Sequence, residues 1–208
     1  MKIRIIQIGK NKDKYIDDAT NEFLKRLRGF ANVEILTLKE RAVSKTFTKE
    51  RAIEEEGIEI LRRIGIDSRL RWNDRNGGND SAFIIALDEK GSEYSSVGFS
   101  KFLQKFKDSG TEITFIIGGP YGLSESVKNS ANTVLSFSKM TFTHQFIRIL
   151  LLEQIYRGFC IINKKEYHNE GLLLNNSLTK IQGLMSFSTQ KATALSQKNV
   201  KKCSPKKG

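Results

Sequence analysis

Along the first two thirds of the chain, short β-like apolar runs alternate with segments in which apolar residues recur at helical spacing. Ile3–Ile8 is rich in β-branched residues and stops at Gly9, which predicts a first strand. From Lys14 to Arg28 the apolar positions Tyr15, Ala19, Phe23, Leu24 and Leu27 fall on one helical face, and the pattern ends at Gly29. A second strand is expected at Val33–Leu38. A second helix is expected at Lys49–Ile64, with Ile53, Gly57, Ile60, Leu61 and Ile64 on one side and charges on the other. Ala82–Leu87 and Ile113–Ile117 are continuously apolar, as strands buried on both faces are. Between them Ser95–Lys107 places Phe99, Leu103 and Phe106 on one helical stripe. Asn132–Phe137 suits a short fifth strand and His144–Phe159 a strongly apolar helix. This alternation predicts an α/β fold: a mainly parallel sheet with helices on both faces.

Two segments depart from the alternation. Residues 66–81 contain Trp72-Asn73-Asp74-Arg75-Asn76-Gly77-Gly78-Asn79-Asp80, a concentration of turn formers that predicts an extended surface loop. Residues 169–208 are rich in Ser, Thr, Asn, Gln and Lys, and predict a basic, disordered extension after a domain spanning 1–168.

The chain has 208 residues and a formal charge of +12, which favours a polyanionic partner, nucleic acid first. Residues 169–208 hold seven Lys and one Glu and so account for half of that excess, leaving a moderate +6 on 1–168. Two Cys and two His exclude a disulfide framework and a zinc module. No apolar run approaches the length of a membrane span, and the start of the chain is too short in apolar residues for a signal peptide. The expectation is a soluble, cytoplasmic protein with neither metal nor membrane partner.

Candidate chemistry lies in three clusters. Gly118-Gly119-Pro120-Tyr121-Gly122-Leu123 directly follows a buried strand. It suits a ligand loop at the carboxyl end of a parallel sheet and a purely structural turn equally well. It is neither a P-loop nor a dinucleotide fingerprint, which argues against a flavin or nucleotide-phosphate enzyme. The second cluster, Leu135–His144, mixes hydroxyls with Phe137, Met140 and Phe142 and contains no acid. Such a loop suits a neutral ring such as adenine held between apolar walls. Thr143 can cap the following helix. His144 reads first as a cap or packed side chain and second as a catalyst. The third cluster is Arg148, Glu153, Gln154, Tyr156 and Arg157, followed by Tyr167-His168. Glu153 and Arg157, four apart, can simply pair. Gly91 is expected to form a second turn at the same end of the sheet. Cys160 reads as a small buried hydrophobe. There is no nucleophile elbow and no carboxylate cluster for a divalent metal.

At these residues the sequence resembles the SPOUT-class ribosomal large-subunit methyltransferases, which act on N3 of a pseudouridine in 23S rRNA. The resemblance rests on Ile-Gly-Gly-Pro-x-Gly-Leu, Leu-Ser-Phe-Ser-Lys-Met-Thr-Phe-x-His-Gln-x-x-Arg, Glu-Gln-x-Tyr-Arg and Tyr-His in that order, and it covers Met1 to His168. It implies a C-terminal trefoil knot, a homodimer, S-adenosylmethionine as cofactor and 23S rRNA in the assembled ribosome as partner. It also implies cofactor contacts at Leu87, Gly118, Gly119, Phe137, Ser138, Lys139, Met140, Thr141 and Phe142. By the same resemblance His144, Arg157, Tyr167 and His168 are the catalytic candidates facing the RNA and the target base. The alternative is a basic α/β RNA-binding module without activity, for which the extension after His168 is the motive.

Overall fold

The structure, a computed structural model, describes residues 1–65 and 82–165. The expectations for the 66–81 loop, for Tyr167 and His168, and for the 169–208 extension lie outside the described residues. Five parallel strands, β1 (Lys2–Ile8), β2 (Asn32–Leu38), β3 (Phe83–Glu93), β4 (Ile113–Ile117) and β5 (Thr133–Ser136), form one sheet in the order β2-β1-β4-β3-β5. The helices are α1 (Lys14–Leu27), α2 (Lys49–Arg63), α3 (Ser96–Ser109), α4 (Glu125–Ser130) and α5 (Phe146–Ile162).

Alternation along β1 shows how the sheet is covered. Ile3 and Ile5 face a core shared with Leu27, Phe99, Leu103, Leu151, Ile155 and Phe159, which brings α1, α3 and α5 onto one face. Ile6 and Ile8 belong to the opposite core, with Ile60 of α2 and Val127 of α4. Each buried Ile, Leu or Phe contributes about 1.5–3 kcal/mol of transfer free energy, so the two layers hold the sheet from both sides. The expected α/β arrangement is therefore present. Side-chain caps set the helix starts: Thr48, Ser95 and Ser124 accept from the backbone N–H groups of Arg51, Gly98 and Val127. Glycine sets one end, with Gly110 in the left-handed region after α3.

The structure corrects three expectations. Glu125–Ser130 forms a short helix where the sequence pattern predicts no element. The apolar helix begins at Phe146, two residues after His144, which lies in the turn before it. Gly91 is part of β3 and makes no separate turn. The β3–β5 register breaks between Leu87 and Ser92, so Asp88–Gly91 bulges out while the strand continues to Glu93. A Cβ on Gly91 would lie 2.6 Å from the Leu135 carbonyl carbon, so the bulge closes on β5 only because glycine stands there.

Candidate functional site

The carboxyl ends of β3, β4 and β5 open into a cleft of about 1000 Å³. Ligands of parallel α/β sheets bind at this end, where loops and helix starts converge. Leu87 and the Asp88–Lys90 bulge form one wall and residues 117–123 another. Residues 135–138 and 140–145 form a third, with Ile147 behind them. The apolar positions among these, Leu87, Ile117, Leu123, Leu135 and Phe137, alternate with hydroxyls and backbone groups. Tyr15 from α1 and Lys49 from α2 also contribute to the lining.

Glycine sterics shape the loop after β4. The Gly122 N–H donates to the Gly119 carbonyl at 3.1 Å, closing a turn with Pro120 at its second position. Gly122 has a φ of +87°. A Cβ on Gly118 would sit 2.7 Å from the Gly122 carbonyl carbon and oxygen, and one on Gly119 would press on Ile8 and Glu56. Gly118 is thus required first by the loop's own backbone, whatever ligand the cleft takes.

The loop after β5 is held by side chains. Buried Ser136 Oγ donates to the Ser138 carbonyl at 2.9 Å and accepts from the Ser138 N–H at 3.2 Å. Ser138 Oγ in turn accepts from the Met140 N–H at 3.0 Å. Thr141 Oγ1 donates to Glu89 Oε2 at 3.0 Å, joining this loop to the β3 bulge. Thr143 Oγ1 accepts from the Phe146 N–H at 3.3 Å, the capping contact expected of it. Met140 is 73% exposed and Phe142 38%, so two apolar side chains stand at the cleft mouth.

Of the cofactor-site candidates, Leu87, Gly118, Gly119, Phe137, Ser138, Met140, Thr141 and Phe142 share the cleft lining, while Lys139 is exposed beside it. His144 lines the cleft as well. Its Nε2 is buried with no hydrogen-bond partner among the described residues. Burial, then the Arg148 guanidinium, hold its pKa below the ordinary 6.5 against an opposing pull from Glu40, which favours the neutral imidazole at pH 7. Arg148 itself is buried. It donates to Asn11 Oδ1 at 2.6 Å and to the Ile8 carbonyl, fixing α5 to the end of β1. Arg157 does not line the cleft. Its Nε and Nη2 donate to Glu153 Oε1 at 2.9 and 2.5 Å, the i,i+4 pair that the sequence offered as the simpler reading. Cys160 is a free, buried thiol, as expected.

Tyr15, Lys49 and Lys128, which belong to no local motif, also line the cleft, and each lies on a helix that follows a strand end. Lys128 pairs with Glu125 at 2.5 Å and reaches Asp88 of the bulge at 3.5 Å. These partners, Glu125 first, hold its ammonium above the ordinary value. Among the described residues no group of His, Cys, Asp or Glu side chains could hold a metal ion, and no helix is long and apolar enough to cross a membrane.

The fold defines an α/β protein with a cleft at the carboxyl ends of parallel strands, and comparison with known proteins gives that class a family. The model described as "Predicted SPOUT methyltransferase" matches residues 1–168. A protein named ribosomal RNA large subunit methyltransferase H from Fusobacterium nucleatum is 42% identical over 169 residues, 81% of this chain and 99% of that one. The protein of the same name from Caldicellulosiruptor bescii is 42% identical over 166 residues, 80% and 99% of the two chains. That from Trichlorobacter lovleyi is 39% identical over 170 residues, 81% and 100%. The chain belongs to the SPOUT methyltransferase family, within the group of the ribosomal RNA large subunit methyltransferases H. Residues 169–208 lie beyond the matched region.

Proposed function

We propose that this protein transfers the methyl group of S-adenosylmethionine to N3 of a pseudouridine in 23S rRNA, on the assembled ribosome and in the cytoplasm. One observation carries the reading. The glycine loop 118–123 and the hydroxyl-rich loop 136–142 converge on a single cleft, in a chain whose relatives bear an rRNA methyltransferase name along their whole length.

The cleft's residues fit the cofactor. Its volume suits a ligand of that size, and Leu87, Ile117, Leu135 and Phe137 offer apolar walls for a purine ring. Asp88 and Glu89 bring carboxylates to the rim, where a sulfonium and an ammonium need negative charge. Bound there, the cofactor supplies a methyl group already activated for displacement, so neither a metal nor a covalent enzyme intermediate is needed. The protein's own residues hold the base in line and favour its deprotonated nitrogen. His144, neutral and part of the cleft lining, is the group that takes or shares the N3 proton. Arg157, which pairs with Glu153 and lies off this cleft, faces the RNA rather than the reacting nitrogen. RNA contact is the role the family resemblance gives Tyr167 and His168, with the Tyr167 ring chemically suited to stack on an extruded base.

The homodimer and the knot belong to the same proposal. Helix α5 buries Leu151, Leu152, Ile155 and Phe159, yet leaves Phe146 44% exposed and Ile149 and Leu150 partly so. A helix apolar on nearly all sides fits a second protein surface over its outer face. From edge strand β5 the chain returns across the carboxyl end of the sheet, touching Glu89 through Thr141 and Lys12 through Gln145. That path is in keeping with a trefoil knot.

Calorimetric titration of the full chain with S-adenosylmethionine tests the reading, with saturable binding at one site per protomer expected. Absence of binding overturns it and leaves an inactive RNA-binding α/β module.

A further inference from the structure

Positive charge on β1, at the amino end of the sheet, is paired, while a group of lysines at the carboxyl end is not. At the amino end, Lys2 lies 3.0 Å from Glu112, and Arg4 lies 3.4 Å from Glu112 and 3.7 Å from Glu34. Arg26, in the last turn of α1, pairs with Glu22 at 2.8 Å. At the carboxyl end, the segments 10–14 and 39–51 together carry eight Lys or Arg against three Asp or Glu. Within them Arg41 and Arg51 share Glu55 at 3.5 and 3.4 Å. Lys10, Lys12, Lys14, Lys39 and Lys45 are exposed and make no ion pair with any described residue.

Both segments run up to the cleft, since Asp13, Tyr15 and Lys49 are part of its lining. Flat rings stand among the charges. Tyr15 is 63% exposed, and the Lys49 ammonium sits 5.6 Å from the centroid of half-exposed Tyr121. The Arg51 guanidinium lies over Phe47 at 5.3 Å.

We propose that segments 10–14 and 39–51 form the docking surface for the phosphate backbone of the RNA whose base enters the cleft, with Tyr15 and Tyr121 receiving neighbouring unpaired bases. The inference rests on the function proposed above and adds where on the protein the RNA lies. Unpaired ammonium groups are point charges with no internal partner to give up, so their contact with phosphates carries no cost of breaking an ion pair. Interleaved tyrosines present apolar faces that stack on bases of any sequence. An anionic membrane would require apolar side chains to insert. Val43 is the exposed aliphatic residue between these lysines, and the charges sit on loops rather than along one side of an apolar helix.

The test measures co-sedimentation of the full chain with 70S ribosomes over a series of salt concentrations. It compares wild type, Lys10→Gln/Lys12→Gln/Lys14→Gln, Lys39→Gln/Lys45→Gln and, as a control on the exposed side of α3, Lys101→Gln/Lys105→Gln/Lys107→Gln. Each lost phosphate contact should lower the slope of log affinity against log salt by about 0.9, so the triple variant loses roughly 2–3 and the double roughly 2. The control keeps the wild-type slope, and all four proteins keep their melting temperature and cofactor affinity. Unchanged slopes in the loop variants, or an equal fall in the control, overturn the surface. Binding to phosphatidylserine vesicles as tight as to ribosomes, and lost in the same variants, also overturns it in favour of a membrane contact. Failure of wild type to bind cofactor defeats the functional reading alone, because the salt slopes still judge the surface.

Discussion

The loop after β4 and the loop after β5 face each other across the cleft and are held by opposite means. Residues 118–122 are fixed by the absence of side chains. Gly118 fits against the Gly122 backbone, Gly119 against Ile8 and Glu56, and Gly122 takes a backbone angle that other residues resist. Residues 136–143 are fixed by the presence of side chains, with the hydroxyls of Ser136, Ser138, Thr141 and Thr143 all engaged in hydrogen bonds. The first loop is buried at its base and continuous with the core. The second is mostly exposed and joined to the bulge through Thr141. A change in the first loop should therefore register as lost stability, and a change in the second as altered ligand affinity.

The strongest way to break this contrast is Gly118→Val. A side chain there collides with backbone atoms, which cannot move aside cheaply, so the variant should lose about 1–3 kcal/mol or more. For a chain of this length that is a fall of roughly 2–12 °C in melting temperature. Cofactor binding is lost through the damaged loop. A wild-type melting curve with cofactor binding abolished would show that the glycine serves the ligand directly and not the fold.

Ser136→Ala probes the boundary between the two modes, because Ser136 is buried yet belongs to the second loop. It should cost about 1 kcal/mol in thermal unfolding and weaken cofactor binding in titration. Loss of stability with affinity untouched would place Ser136 with the glycine loop.

His144 offers a pH-dependent test. Its folded pKa lies below 6.5, so as pH falls through 6.5 the unfolded chain binds protons before the folded one does, and stability declines. Methyl transfer should fall with protonation at a pH below 6.5, and His144→Gln should remove that limb of the rate profile. A limb unchanged in the variant would exclude His144 as its source.

The smallest effect is expected for Thr141→Val, which removes the contact to Glu89. The contact is exposed, so stability should change by about 0.5 kcal/mol or less, while cofactor affinity drops roughly two- to five-fold. Thr141→Ser should restore the affinity. Failure of serine to do so would mean that the methyl group, and not the hydroxyl, matters.

The strands were legible because each is a short β-branched or continuously apolar run next to Gly or turn residues. Both cores follow from the alternation in β1. Helix α4 left no periodic signal, since six residues with a single buried apolar position, Val127, cannot show a helical repeat. The continuation of β3 past Leu87 was hidden because Asp88-Glu89-Lys90-Gly91 are turn formers, and only pairing with β5 turns them into a bulge. Most of the cleft lining was readable from the two loop motifs. Arg148 stood out as a candidate but its role did not: its guanidinium reaches the carbonyl of Ile8, 140 positions earlier in the chain, a contact that no local pattern encodes. The rim residues Tyr15 and Lys49 likewise depend on how the sheet brings distant strand ends together.

The central claim is methyl transfer to rRNA, and it is tested most directly by incubating the full chain with S-adenosylmethionine carrying a labelled methyl group. The acceptors are 70S ribosomes, free 50S subunits and naked 23S rRNA lacking the modification, and the labelled nucleoside is identified by mass spectrometry. The account predicts label on N3 of a pseudouridine in 23S rRNA, most strongly with 70S ribosomes. Cofactor binding without transfer to any of the three acceptors, or label on a different atom, would contradict it.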